Sequence, residues 1–246
     1  KAETVQPFDI PGFITSGIFL PLFMYGLSEV NSSTNTQGWN SPVVLGSMWI
    51  SALMFILFIY IELTVKHPLI NLRIFKDRNF TLANVMMFIF GVGMFGSTFL
   101  IPLYLQNNLG YSALQAGMFF IPVGIIQGFC SPTAGALGQK INPKILIAGG
   151  LILMALSFYL NIFLSFLTEK WYIMMSLYLR GIGMGILFTP LLTLSLANIR
   201  IDMMAQASSL TNIIRQMGGS FGVAIFSHVL TQRTSYHTQR YSEALN

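Results

Sequence analysis

The sequence predicts an all-α fold: a polytopic transmembrane helix bundle of about seven spans. Three observations predict it. Hydrophobic residues make up 54% of the chain and charged residues 9%, against roughly 25% charged in a soluble globular protein. Seven apolar runs are each long enough to cross about 30 Å of hydrocarbon, which takes roughly twenty helical residues. Basic residues gather in alternate connections between those runs, as membrane topology requires. Eight acids and thirteen bases are too few to coat a water-facing surface for 246 residues.

The runs cover residues 10–27, 42–65, 80–105, 114–137, 145–167, 171–197 and 205–230. Asp9 stands before Ile10-Pro11 as an N-cap followed by a first-turn proline, which opens the first run. The stretch 31–40 is polar and separates it from the second. Asn107-Asn108-Leu109-Gly110 is a turn signal after the third run, and Asn142-Pro143 closes the short connection before the fifth. Period-2 alternation is missing, which excludes a transmembrane β-barrel. Backbone groups in lipid must pair within their own segment, so each run is a helix. Neither a linker nor a soluble domain interrupts the pattern.

Orientation follows from charge. Lys66, Arg73, Lys76, Arg78, Lys140, Lys144 and Arg200 lie in the connections after the second, fourth and sixth runs. Lys170, Arg233 and Arg240 lie on the opposite side. The first set belongs in the cytoplasm. The first span then runs outward and the segment after Leu230 lies outside. Trp39, Trp171, Tyr104 and Tyr172 fit an outer aromatic belt. This distribution accounts for the net charge of +5 without nucleic acid, which is excluded as a partner. The lone Cys130 forms no internal disulfide and reads as a small buried hydrophobe. Lys1 rather than Met opens the chain and no signal peptide precedes the first run; a processed or truncated piece is expected.

A repeat joins the third and sixth runs. Gly91-Val-Gly93-Met94, followed by Phe99 and Pro102, recurs about 90 residues later as Gly181-Ile-Gly183-Met184, followed by Phe188 and Pro190. Gln115-Ala116 and Gln206-Ala207 recur at a similar offset. The third and sixth runs point in opposite directions, so this is an inverted-topology repeat of the kind secondary transporters use.

Candidate functional residues fall into several groups. Gly124 and Gly128, Gly181 and Gly185, and Gly218 and Gly222 are each four apart, on one helical face, where small residues let backbones approach. Pro102, Pro122, Pro132 and Pro190 lie within or near the ends of spans and free carbonyls there. Arg180 and Arg215 lie about 14–15 Å deep at 1.5 Å per residue, so each must face the bundle interior or water, as a gate, a pairing partner or a satisfied structural charge. The acids Glu3, Asp9, Glu29, Glu62, Asp77, Glu169, Asp202 and Glu243 all sit in loops or at span ends. A proton-coupled carrier needs a protonatable group within the membrane, so such a group is expected elsewhere. Within the spans the polar residues are Asn84, Thr98, Gln127, Asn161, Asn212 and Gln216. Enzyme signatures, metal-ligand spacings and cofactor motifs are missing, and neither an enzyme nor a bound cofactor or metal is expected.

Several stretches resemble a known family. Gln206-Ala-Ser-Ser-Leu-Thr-Asn212-Ile-Ile-Arg215-Gln-Met-Gly218-Gly-Ser-Phe-Gly222-Val-Ala224 resembles the eleventh-core-helix signature of the EmrB/QacA-like drug:proton antiporters, the 14-span branch of the major facilitator superfamily. Similar to the same family are His67-Pro-Leu-Ile-Asn-Leu-Arg-Ile-Phe75-Lys-Asp-Arg-Asn79-Phe80, Ile101-Pro-Leu-Tyr-Leu-Gln106 running on to Gly110-Tyr-Ser-Ala-Leu-Gln115-Ala-Gly117, and Phe8-Asp9. The resemblance implies that residues 1–79 are the helix pair inserted between the family's two halves, with its cytoplasmic loop. Residues 80–246 would be core helices seven to eleven of the C-terminal half, the last core helix and the N-terminal half being missing. Gly135-Ala-Leu-Gly-Gln139-Lys140-Ile-Asn142-Pro-Lys144 looks like the superfamily's cytoplasmic gating motif, with Lys140 and Lys144 keeping its charge. Gln139 replaces the usual Asp and Asn142 the usual Gly, which weakens an aspartate-based latch.

The function so implied is proton-coupled efflux of amphipathic small molecules across the plasma membrane, the inner membrane of a bacterium. Its partners would be the bilayer, an amphipathic substrate, protons and the missing N-terminal half. Asn84, Phe88, Phe95, Gln127, Asn212 and Gln216 are the candidate cavity residues, chosen on polarity and helix position, with aromatics supplying stacking or cation–π contacts. A seven-span receptor or assembly subunit is the alternative.

Overall fold

The structure, a computed structural model, describes residues 9–30, 32, 35, 37–65 and 72–244, with side chains for all of these except 238, 239 and 241–244. Lys1, Glu3, Phe8, Lys66, the motif residues 67–71 and the side chain of Glu243 lie outside the described residues. Eight α-helices are described: α1 (Ile10–Glu29), α2 (Pro42–Thr64), α3 (Arg78–Asn107), α4 (Ala113–Met118), α5 (Phe120–Leu137), α6 (Pro143–Asn161), α7 (Lys170–Leu196) and α8 (Met204–Ala244). They form two compact units. One contains α1, α2, α3 up to Ser97, and α8; the other runs from Thr98 to Asn198 and contains the end of α3 with α4 to α7.

The helix ends follow from local chemistry. The Gly12 N–H donates to Asp9 Oδ1 at 2.9 Å, with Pro11 in the first turn of α1. Phe80 N–H donates to Asp77 Oδ1 at 2.8 Å at the start of α3. After α3 the chain reverses through Gly110, whose φ of +70° is a left-handed conformation that glycine adopts without strain. Ser112 and Gln115 then form a reciprocal capping box at α4. Asn142 caps α6 by accepting from Lys144 N–H at 3.0 Å, ahead of Pro143.

Six helical stretches among the described residues are long and apolar enough to cross a membrane: α1, α2, α3, α4–α5 together, α6 and α7. Their outer faces are greasy. Trp49, Ile56, Phe129 and Ile152 are 69%, 64%, 73% and 67% exposed. Such a continuous apolar surface marks contact with lipid. Three sequence expectations are corrected. The fourth run is not one helix: it breaks at Phe119, because Pro122 has no N–H to give the carbonyl of Met118. The fifth run ends as helix at Asn161 rather than continuing to 167. The seventh run is helical throughout but extends to Ala244, well past Leu230, and lacks the apolarity of the other six.

In the second unit, Ile101, Leu105, Ala116, Phe119, Val123, Ile173 and Leu177 form a buried cluster. It tightens the end of α3 and the α4–α5 break against α7. The outer aromatic residues serve as anchors there: Tyr104 donates to the Ser165 carbonyl at 2.7 Å and Tyr172 to the Leu160 carbonyl at 3.0 Å.

Candidate functional site

In the first unit α3 and α8 touch backbone to backbone. A Cβ added at Gly91 would strike the Arg215 carbonyl; one at Gly218 would strike the Phe88 carbonyl; one at Gly222 would strike the Val92 carbonyl. Only glycine permits that approach, and the resulting seam fixes the register of the two helices. Gly219 packs on the Phe95 ring and Gly96 on the Phe226 ring. Phe221 stands at the centre of an aromatic group, 5.9 Å from Phe88 and 5.5 Å from Phe23 between ring centroids.

Beside the seam lies a polar face of α8. The half-buried Arg215 donates through Nη2 to Asn212 Oδ1 at 2.7 Å, and its guanidinium carbon lies 5.6 Å from the Phe95 ring centroid. Asn212 and Gln216 are exposed and four apart, so they share one side of the helix. Phe88 and Phe95 are half-buried. Asn84 is different: it is buried, its Nδ2 donates to the Phe80 carbonyl at 2.8 Å, and its Oδ1 makes no hydrogen bond among the described residues. Thr211 Oγ1 is buried in the same condition. Gln127 belongs to the other unit, on α5, where its carbonyl lies beside Gly185.

The second unit holds the other arginine. Arg180 is 1% exposed and its guanidinium carbon lies 5.2 Å from the Phe120 ring centroid. Stacking of a guanidinium on an aromatic face offsets part of the cost of holding charge away from water. Around it Gly181 lies against Val123, Gly183 against Gly150 and Met154, and Gly185 against Cys130. Gly124 and Gly128 are exposed instead, with open space where a Cβ would be. Lys140 and Lys144 are exposed in the tight α5–α6 connection, which Asn142 rather than a glycine closes.

Three features were not foreseen. Phe120 gave no sequence signal beyond being one of many apolar residues. Ser157, Ser176 and Asn161 join α6 to α7: Ser157 donates to the Ser176 carbonyl at 2.8 Å and Ser176 to Asn161 Oδ1 at 2.5 Å. Asp9 and Glu62 stand at span ends as expected, yet both are buried, beside Gly12. The spacing of serines and acids in sequence gives no hint of such cross-helix approach. Chemically, the α3–α8 face offers hydrogen-bond donors and acceptors, one fixed cation and aromatic walls. Among the described residues no group of His, Cys, Asp and Glu could hold a metal ion.

The profile of the Major Facilitator Superfamily matches residues 9–223. The chain belongs to the major facilitator superfamily. It is 31% identical to the uncharacterized MFS-type transporter YhcA of Bacillus subtilis over 93% of its own length and 42% of that protein's. It is 30% identical to the fatty acid resistance protein FarB of Neisseria gonorrhoeae, covering 93% of the chain and 46% of the relative. With the multidrug export protein EmrB of Escherichia coli the identity is 31%, over 85% of the chain and 41% of the relative. The chain thus spans less than half the length of the curated relatives it matches. Superfamily membership and the apolar helices make it a multi-pass protein of the plasma membrane. They also disfavour the reading as a receptor or assembly subunit.

Proposed function

We propose that the chain is the C-terminal part of a proton-coupled carrier that exports amphipathic small molecules. Residues 1–79 serve as the inserted helix pair with its loop. Residues 80–246 are core helices seven to eleven. An N-terminal half supplies the opposite cavity wall and the protonatable group for coupling. The observation that carries this reading is the polar face of α8, where Asn212 holds Arg215, Arg215 lies against the Phe95 ring, and Gln216 is exposed beside them. A helix with such a face is better placed along a water-filled path than against lipid on all sides. The names of EmrB and FarB, a multidrug export protein and a fatty acid resistance protein, support an amphipathic cargo.

Within that carrier Phe88, Phe95, Asn212 and Gln216 contact the cargo and Asn84 supports α3 from a buried position, while Gln127 is a candidate contact in the other unit. Arg215 is held by Asn212 and Phe95 as a fixed charge in the path. Arg180 is a structural charge that keeps α7 in register with α5. Lys140 and Lys144 act in the cytoplasmic gating loop. Gly181 and Gly185 hold α7 against α5, and Gly218 and Gly222 hold α8 against α3, so that each pair moves as one body during rocking; Gly124 and Gly128 leave space for a neighbouring helix.

The test is transport by the complete carrier in everted vesicles energised by a proton gradient. Export of lipophilic cations or fatty acids that collapses with the gradient is expected, as is a loss of about tenfold or more in Asn212→Ala or Gln216→Ala from removing a site hydrogen bond. No gradient-dependent flux of any amphipathic compound contradicts the reading.

A further inference from the structure

The α3–α8 seam changes character toward the starts of both helices. A Cβ on Gly91 or on Gly218 would strike a carbonyl of the facing helix. The seam sets Phe88 against Gly218 and Val92 against Gly222, so α3 and α8 run parallel. Seven residues make about two turns and return to nearly the same face. Seven before Gly91 stands Asn84, and seven before Gly218 stands Thr211. These two residues therefore take the seam positions at a common level. Each lies about 9–11 Å from the start of its helix, at Arg78 and Met204, at 1.5 Å per residue.

Both residues are sealed inside the first unit: Asn84 is 2% and Thr211 1% exposed. Asn84 Oδ1 and Thr211 Oγ1 make no hydrogen bond among the described residues. Thr211 stands apart from other helical threonines in this respect. The hydroxyls of Thr15, Thr64, Thr133, Thr193 and Thr231 each donate to the carbonyl four residues earlier in their own helix. Asn84 Nδ2 is committed to the Phe80 carbonyl. That leaves an amide oxygen that only accepts, at the level of a hydroxyl that can donate and accept. The two oxygens do not bond each other directly, so whatever satisfies them stands between them. Buried polar atoms are nearly always satisfied, and low-dielectric surroundings make an orphan costly.

Size and chemistry limit the occupant. Protein already covers both residues, which leaves no room for a cargo molecule or an acyl chain. A hard cation takes about six oxygen ligands, and two neutral oxygens are far from that number. Water donates and accepts, and two polar partners suffice to hold it. We propose that Asn84 and Thr211 form a buried water site that bridges α3 and α8 beyond the last glycine contact. The water ties the helices together where side chains replace the glycines. Neither the cargo nor the coupling ion enters this inference.

Radiolytic footprinting of the complete carrier tests it. X-rays split water in place, so a side chain beside a bound water is oxidised where bulk radicals do not reach. Met87 is the reporter, one turn after Asn84 and 1% exposed. Met204, at the start of α8 and 38% exposed, is the comparison. A bulk radical scavenger is expected to lower oxidation at Met204 several-fold and leave that at Met87 unchanged. Asn84→Leu with Thr211→Val removes the Met87 signal. In thermal unfolding, each single substitution lowers Tm, because it strands the remaining oxygen, and the double variant recovers at least half of the summed loss. Met87 that stays unmodified, or that is protected by the scavenger like Met204, would overturn the proposal. So would single variants with raised Tm, or losses that simply add. The Met87 reading needs no substitution, so it decides the matter when a variant does not fold.

Discussion

At the residue scale, space and charge decide what each position tolerates. Gly218 abuts the Phe88 carbonyl, whereas Gly124 faces open space. Gly218→Ala should force α3 and α8 apart and cost about 1–3 kcal/mol, the usual price of overpacking. Gly124→Ala should gain a few tenths to about 1 kcal/mol from helix propensity. Unfolding of the chain in detergent measures both, and equal effects at the two sites would contradict the seam. Arg180 makes a second case. Its planar group over Phe120 contributes about 0.5–2 kcal/mol, so Phe120→Leu should destabilise by that amount. Combined with Arg180→Lys the losses should be less than additive, which a double-mutant cycle in the same assay reads. Both arginines were legible from sequence as charges that must face the bundle interior or water; Arg180 is buried and Arg215 half-buried. Their aromatic partners were not: Phe120 and Phe95 are two among twenty-one phenylalanines, and hydropathy does not distinguish a ring under a guanidinium from one in lipid.

At the element scale, the sequence was most readable where polar caps punctuate apolar runs. Asp9, read as an N-cap, accepts the Gly12 N–H; Ser112 and Asn142, not read as caps, accept from Gln115 and Lys144 in the same way. Ser112→Ala should cost about 0.5–2 kcal/mol and raise amide exchange in α4. Two boundaries misled for a common reason. Phe119 at the α4–α5 break and the stretch 162–167 after α6 are both apolar, and hydropathy reports the solvent rather than the backbone. Ile162, Phe166 and Leu167 are 73%, 75% and 92% exposed in a turn region, where a bilayer interface accepts greasy loops. Pro122→Ala restores a donor for the Met118 carbonyl and should fuse α4 with α5; slower amide exchange at 119–122 is the expected sign. Unchanged exchange there would assign the break to tertiary packing instead of the proline.

For the whole molecule, six helical stretches among the described residues are long and apolar enough to cross a membrane, and α8 is not one of them. The sequence reading put a seventh span at 205–230 with Asn212, Arg215 and Gln216 within it, and that stretch is helical. Polarity marks a helix face in sequence: Asn212 and Gln216 share one side of α8, with Phe95 of α3 at the neighbouring Arg215. Asn84 shows what polarity and helix position leave open: the fold has it buried, donating to the Phe80 carbonyl of its own helix. The central claim is that the polar face of α8 lines an aqueous path through the carrier. Cys130 is the only thiol of this chain, so a carrier with Cys130→Ser and every cysteine of its N-terminal half replaced gives a clean test. Asn212→Cys and Gln216→Cys in the complete carrier should react with a membrane-impermeant thiol reagent, be slowed by transported compounds, and far outpace the exposed apolar-face control Ile152→Cys. Residues 212 and 216 as inert as residue 152, from both sides of the membrane, would contradict the account.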